Sequence, residues 1–517
     1  MSGADAVDVL IVGAGPTGLV IALWLTRLGV RVRIVDKTAA PGTTSRALAV
    51  QARTLEFYNQ IGIADEVVAR GRKVAAVNFW VAGAHTARAV IGELGAGMSP
   101  FSYLIIFPQD EHERLLVERL AAAGVTVERR TELVEFEETA PGVAARLKGT
   151  DGAIETCTAA YLAGCDGAHS TVREGLGIGF PGGSYEHLYY VADMAARGPA
   201  INGELHVGLD ASDFLAAFPL KADGHARLIG TLQERVEHRR EGLEWADVSN
   251  RVIEEMKIEV ERVNWFSTYR VHHRVADHFR KGRAFILGDA AHIHSPVGGQ
   301  GMNTGIGDAV NLSWKLAAVI QRWAGAAILD SYEPERIAFA RRLVATTDRA
   351  FSAVTNRGAI ARSVRLQIVP RVIPRLFRIA AVRRFMFRTI SQTAVSYRTS
   401  ILSEGNAGSV YGGDRLPWVE AERDGVAGDN FKPLAAIAWQ VHVYGEAAPE
   451  IRAVCDERKL PLHQFRWRAA MGRAGLRQNA VYLVRPDGYV ALADAQARAA
   501  TIAAYLEARG IAAEGFA

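Results

Sequence analysis

DVLIVGAGPTGLVIALWLTRLGVRVRIVDK, residues 8–37, is the stretch on which the fold turns. It opens with an apolar, β-rich run from Val9 to Val12, passes through Gly13, Gly15 and Gly18, continues with helical periodicity, and returns to a strand ending at Asp36. That is the order a dinucleotide-binding βαβ unit requires. Gly13 permits the tight turn, Gly15 lets backbone approach a pyrophosphate, and Gly18 lets the helix pack closely on the sheet. Entered through Pro16 and Thr17, the helix turns free N–H groups and the positive end of its dipole towards the phosphates. Asp36, with Lys37 after it, stands where an acid accepts hydrogen bonds from a ribose hydroxyl. The plain alternative is a βαβ unit with incidental glycines, and the motif alone does not separate FAD from NAD(P).

Composition narrows the setting. A chain of 517 residues exceeds what one hydrophobic core organises, so two or three domains are expected. A formal charge of +4 is small for this length and gives no reason to expect nucleic acid. The 3 cysteines, Cys157, Cys165 and Cys455, are too few and too scattered for a disulfide framework or a zinc site, which fits a reducing compartment. No apolar run is long enough to span a bilayer, and the opening residues lack the basic region of a signal peptide, so a cytoplasmic protein without membrane insertion is expected.

Further signals lie along the chain. Arg46, Gln51 and Arg53 follow the first unit, where an arginine either clamps phosphate oxygens or ends a helix as a solvated charge. Gln109 sits just before a helix beginning near Asp110, placed to reach a ligand or to serve the cap. In YLAGCDGAHSTVREGLGI, Asp166 and Gly167 form a turn after a small-residue strand, with Arg173 in the helix beyond it. GRAFILGDAAHIHSPVGGQGMNTGIGDAVNLSWKLA, residues 282–317, puts Asp289 at the tip of a buried strand and then enters a long helix through glycines. The tip of such a strand is where ligands collect in an α/β sheet, and the helix end would stabilise the negative charge of a reduced flavin ring.

Taken together and in order, the GxGxxG of Gly13 to Gly18, the Asp166-Gly167 pair and GDAAHIHSPVGGQGMN from Gly288 to Asn303 resemble the single-component FAD-dependent aromatic monooxygenases, the para-hydroxybenzoate hydroxylase-like group. The pattern is closest to the phenol, hydroxyphenylpropionate and polyketide hydroxylases, and it covers roughly residues 5–345. The resemblance implies an α/β fold: a discontinuous FAD-binding Rossmann-like domain (1–179 and 276–400), an inserted antiparallel β-sheet substrate domain (180–275), and a linker with a thioredoxin-like C-terminal domain (401–517). It implies that Gly13, Gly15, Pro16, Thr17 and Gly18 hold the FAD pyrophosphate, with Asp36 and Lys37 at the adenosine ribose. Arg46 and Gln109 would touch the phosphate and ribityl region, the backbone of Leu133 the adenine, and Asp289 the ribityl hydroxyls. Pro296 would lie against the isoalloxazine, with Gly298, Gly299, Gly301, Met302 and Asn303 at its pyrimidine edge. Asp166 is linked to both FAD and the reductant, with Arg173 orienting it. The family's ribose acid is commonly Glu, so the shorter Asp36 is a departure.

The implied reaction is reduction of FAD by transiently bound NAD(P)H, addition of O2 at flavin C4a, and delivery of OH from the hydroperoxide to a phenolic or other electron-rich ring. Related oxygenations (epoxidation, decarboxylative or substituent-displacing hydroxylation), a non-catalytic flavin-binding partner and a plain NAD-dependent dehydrogenase are the alternatives. Phe214, Phe218, Trp265 and Tyr269 are candidate substrate contacts, although strand aromatics more often build core. No catalytic side chain is singled out. His292 and His294 lack a third ligand, so no metal is expected. Residues 349–403 contain no Asp or Glu while 361–388 carry eight Arg; packed helices with basic edges at a homodimer interface are favoured over a membrane-surface helix.

Overall fold

The computed structural model describes residues 7–42, 47–140, 142–209, 214–232, 243–295, 297–355, 368–423 and 425–512. Strand β1 (Val7–Val12), helix α1 (Pro16–Arg27) and strand β2 (Val32–Asp36) form as the fingerprint requires. The chain then runs through α2 (Ala52–Gln60), the strands β3 (Ala76–Val81) and β4 (Ala84–Val90), and α3 (Gln109–Ala122), to reach β5 (Val127–Arg129) and β6 (Ile154–Gly164). After the short helix α4 (Thr171–Gly175) come β7 (Gly182–Arg197), β8 (Leu205–Leu209), β9 (Phe214–Pro219), β10 (His225–Thr231), α5 (Arg251–Glu255) and β11 (Glu259–Val275). The return is made by β12 (Ala284–Ile286), β13 (His292–Ile293), α6 (Gly301–Ile320) and α7 (Tyr332–Thr355).

Strands β12, β6, β1, β2 and β5 lie side by side and parallel. Helices cover this sheet, so β1 is apolar almost without interruption and Val9, Leu10 and Ile11 are wholly buried. The inserted sheet has the order β13-β11-β7-β10-β9-β8-β3-β4, so it recruits Ala76–Val90 as well as residues after 180. One face, with Leu215, Ala217, Leu228, Ala192 and Met194, packs on α5. The other carries Val191, Phe218, Ile229, Trp265 and Tyr269 and packs on Leu48, Val74 and Ile106 from the part built on the parallel sheet.

Within residues 245–260 a single turn at Trp245–Asp247 and α5 are followed by Lys257 at φ +54°, where the chain turns to enter β11. Two sequence readings are resolved by the fold. The Gly-rich stretch 408–425, read as a linker, is folded into strand Val410–Tyr411 and the hairpin Glu420–Arg423 with Val426–Asp429. Its glycines serve close backbone approach, since a Cβ on Gly413 would lie 2.4 Å from the Tyr397 carbonyl carbon. Arg53 is not a phosphate clamp. It is buried on α2, donating to Glu56 at 2.9 Å and to the Asp487 carbonyl at 2.7 Å.

The C-terminal unit is a six-stranded sheet in which Leu462–Phe465, Gln440–Tyr444, Val481–Val484 and Val490–Asp494 are consecutive neighbours. It is joined to the rest through buried charge. Glu335 of α7 accepts from Arg485 at 2.8 and 3.1 Å, from Lys315 at 2.8 Å, and from Asn311 and Ser400 at 2.6 Å each. Arg485 also pairs with Asp487, and Arg415 with Glu56. Burial opposes ionisation of Glu335, and Arg485 and Lys315 outweigh it, holding the carboxyl below its usual range.

Buried histidines make the fold sensitive to acid. His112 of α3 meets the Tyr58 hydroxyl at 2.7 Å, and burial pushes its pKa down to about 3; burial likewise holds His442 well below its ordinary value. Both stay neutral in the folded state, while the unfolded chain takes up protons below about 6.5. Stability is therefore expected to fall as pH drops from 6.5 towards 3, by up to about 1.4 kcal/mol per pH unit for each histidine. Unfolding midpoints between neutral and mildly acidic pH check this, with His112→Gln expected to flatten the slope.

Candidate functional site

The glycines of the first motif divide the work as their surroundings dictate. A Cβ on Gly13 would lie 2.3 Å from the Cys165 carbonyl oxygen, and one on Gly18 would lie 1.9 Å from the Gly13 carbonyl oxygen. Both are required for packing of α1 against β1 and β6. Around Gly15 a Cβ would meet nothing within 4 Å, and α1 starts beside it with no side-chain cap. A backbone cradle bordered by free N–H groups fits a pyrophosphate. Thr17 packs its hydroxyl between Gly288 and Gly305, which draws the starts of α1 and α6 to the tip of β12.

At the far end of β2, Asp36 accepts from the Ala14 N–H at 2.6 Å and from the Thr38 N–H at 2.7 Å. The shorter acid thus folds back on the glycine loop, and Lys37 is exposed beside it. Sequence reading missed two neighbours. Arg129 approaches Asp36 at 3.7 Å and has a buried Nη2 with no partner among the described residues, which suits an adenosine group. Glu113 takes the Gln109 amide at 2.7 Å and the Gly42 N–H at 3.2 Å, and burial raises its pKa. Leu133 is buried opposite Leu147 at a β-bulge, close to the bonds that tie Arg130 and Thr131 to Thr38 and Asp36.

Ser170 caps α4, and Asp166 braces that start, accepting from the Ser170 hydroxyl at 2.5 Å and the Val172 N–H at 3.1 Å, while burial raises its pKa against these donors. Arg173 orients the turn through backbone, donating to Ala168 O at 3.0 Å and Ala290 O at 3.2 Å. That bond reaches the residue after Asp289, which is exposed at the strand tip. Beneath lies a buried relay: Asp308 accepts from the Gly288 N–H at 3.0 Å, meets His292 at 2.7 Å, and takes Arg336 Nε at 2.6 Å. The relay assigns His292 a structural role.

Gly298 and Gly299 have φ of +76° and +61°, and α6 then begins at Gly301 with no side-chain cap on its N–H groups. Asn303 spends its whole side chain on the loop. Its Oδ1 accepts from Gln51 N and Thr54, and its Nδ2 donates to Ala49 O and Gly299 O. Gln51 holds Gly298 O at 2.9 Å. Met302 is half-buried against the core. Arg46 and Pro296 lie outside the described residues. Asn303→Asp removes both donations, and a roughly tenfold weaker hold on flavin is expected, read by fluorescence titration of the apoprotein.

Two glycine-lined helix starts at one sheet edge, one beside an acid-tipped strand, suit a long anionic cofactor with a flat ring. Residues 6–347 match the family model described as an FAD binding domain. The chain belongs to the single-component FAD-dependent aromatic monooxygenases of the para-hydroxybenzoate hydroxylase-like family. This monooxygenase is 34% identical to the 6-methylpretetramide 4-monooxygenase of Streptomyces rimosus, over 98% of this chain and 94% of that one. Among solved structures it is similar to the OxyS anhydrotetracycline hydroxylase of Streptomyces rimosus (TM-score 0.78, 27% identity, 97% and 98% covered). A second is the aklavinone-11 hydroxylase in a ternary complex with FAD and aklavinone (TM-score 0.76, 26% identity, 98% and 99% covered). The monooxygenase binds FAD through the Rossmann-like part, with the inserted sheet as its substrate domain.

Proposed function

We propose that this monooxygenase hydroxylates an electron-rich, phenolic ring within a fused polyketide-type substrate, consuming NAD(P)H and O2. The observation that carries the reading is the aromatic face of the inserted sheet. Phe214 and Phe218 alternate onto the face that bears Trp265 and Tyr269, and that face packs on Leu48, Leu104 and Ile106 of the FAD-binding part. A flat apolar ring system matches such a wall in shape and polarity. The relatives named above act on anhydrotetracycline, 6-methylpretetramide and aklavinone, which supports a polycyclic substrate here.

When bound, reduced FAD supplies the oxygen-activating chemistry. The chain's part is position and dryness. Gly13 to Gly18 hold the pyrophosphate, Asp36 and Arg129 the adenosine, and Gln109 and Asp289 the ribityl and phosphate region. The N–H groups of Gly298 to Asn303 face the pyrimidine edge, where they stabilise negative charge. The inserted sheet, packed on the FAD-binding part, keeps water from the reacting centre. We read the C-terminal unit as thioredoxin-like. Its strand–helix–strand then hairpin order, with the first strand between the second and third, supports this. Cys455 there is buried with its pKa pushed up to about 12 by burial, which leaves the thiol unreactive and suits a structural or dimerising role for the unit.

A panel of polycyclic phenols is tested for stimulated oxidation of NADH and of NADPH, under labelled O2. One labelled oxygen in a product is expected; reductant consumption without labelled product across the panel contradicts the reading.

A further inference from the structure

Among its described residues the basic segment leaves several apolar side chains exposed. In helices α8 (Val369–Leu376) and α9 (Ala380–Ile390) and the residues flanking them, Ile368, Val372, Leu376, Ile379 and Phe385 are between 40% and 68% exposed. Ile368, Val372 and Leu376 recur every four residues, which sets them on one side. Val372, Leu376, Ile379 and Phe385 each follow an arginine: Arg371, Arg375, Arg378 and Arg384. Along the segment, exposed apolar tips and guanidinium groups therefore alternate. The exposure of Phe385 follows from packing. Phe387 is buried so closely against Gly95 that a Cβ there would lie 2.2 Å from its ring, and two residues along a helix is about half a turn. Phe385 must face outwards.

We infer that this face docks on an anionic lipid bilayer surface. Charge selects the occupant. With no Asp or Glu in residues 349–403, a two-fold contact with a second copy would set arginine against arginine. An anionic surface reverses that sign. Interleaved apolar and guanidinium groups match the headgroup boundary, where arginine stems and Phe385 enter the acyl edge while the guanidinium forks meet phosphate. The docking is peripheral: among the described residues no helix is long and apolar enough to cross a membrane. The segment is tied to the Gly298-Gly299 loop at the start of α6, because the Ile390 carbonyl at the end of α9 accepts from Gln300 Nε2 at 2.7 Å.

The test is co-sedimentation of the full-length holoprotein with vesicles of phosphatidylcholine alone, or with about a quarter phosphatidylglycerol, at low and high salt. Binding to the anionic vesicles only, weakened by salt, is expected. Ile379→Asp with Phe385→Asp is expected to weaken it about tenfold or more, with bound flavin and unfolding midpoint unchanged. Failure to pellet, equal binding to neutral vesicles, or a variant that still binds would overturn the inference. So would a dimer that the variant splits, assigning the face to a second copy, or a monomer that binds acidic protein but no lipid.

Discussion

Gly15→Val is expected to yield a folded, colourless protein whose affinity for FAD is lower by about two orders of magnitude or more. The three glycines of the fingerprint look alike as letters, yet their neighbours differ. The space around Gly15 is open, so an isopropyl group there costs the fold little and fills the cradle that the pyrophosphate needs. Gly18→Val behaves differently. Its Cβ would collide with the Gly13 carbonyl at 1.9 Å, and α1 would have to leave the sheet. Insoluble or strongly destabilised protein is expected for Gly18→Val, against an apoprotein of unaltered unfolding midpoint for Gly15→Val. Flavin content and thermal unfolding of the two variants decide it. A yellow Gly15→Val protein would remove the phosphate cradle from this part of the molecule.

Arg485→Met is expected to cost about 3–5 kcal/mol, the usual consequence of stranding buried carboxylates. Glu335 and Asp487 are both essentially without solvent exposure, and Arg485 bonds to each. Lys315 alone would remain to balance Glu335. Adding Asp487→Asn to Arg485→Met removes the carboxylate left without an ion partner while Lys315 still balances Glu335, so part of the loss should be recovered; a merely volumetric effect of the methionine would not be. Thermal unfolding of the holoprotein reads both variants. Flavin release is expected to accompany unfolding, because Arg336, next to Glu335 on α7, holds Asp308 and with it Gly288.

The FAD-binding part was largely legible because its requirements are local. A turn needing φ of +100° at Gly13, a helix start without a cap and an acid at the end of the next strand leave marks within thirty residues. The Asp-Gly turn and the Gly298-Gly299 loop are marked in the same way. Other features left no such mark. Arg53 stands as close to the first motif as a phosphate clamp should, but Glu56 and Asp487 claim it. Arg129 and Glu113 belong to a strand end and a helix face of ordinary composition. The glycines of residues 408–425 read as flexibility because a glycine required by a neighbouring backbone carries the same letter as one in a free loop. Arg-rich helices are equally ambiguous until Phe387 is seen to point inwards and Phe385 outwards.

Backbone permission is written along the chain: which residues can turn, cap, approach a phosphate or alternate across a sheet depends on sterics and dipoles acting over a few neighbours. The balance of a buried charge is different, because desolvation is cancelled only by partners that folding brings from elsewhere, such as Arg485 to Glu335 across 150 positions or Arg53 to Asp487 across 434. The glycine turns and uncapped helix starts at the sheet edge were therefore legible in local spelling. Which face of the inserted sheet packs on the FAD-binding part, and which ion pairs bind the C-terminal unit to that part, were decided only when distant segments met.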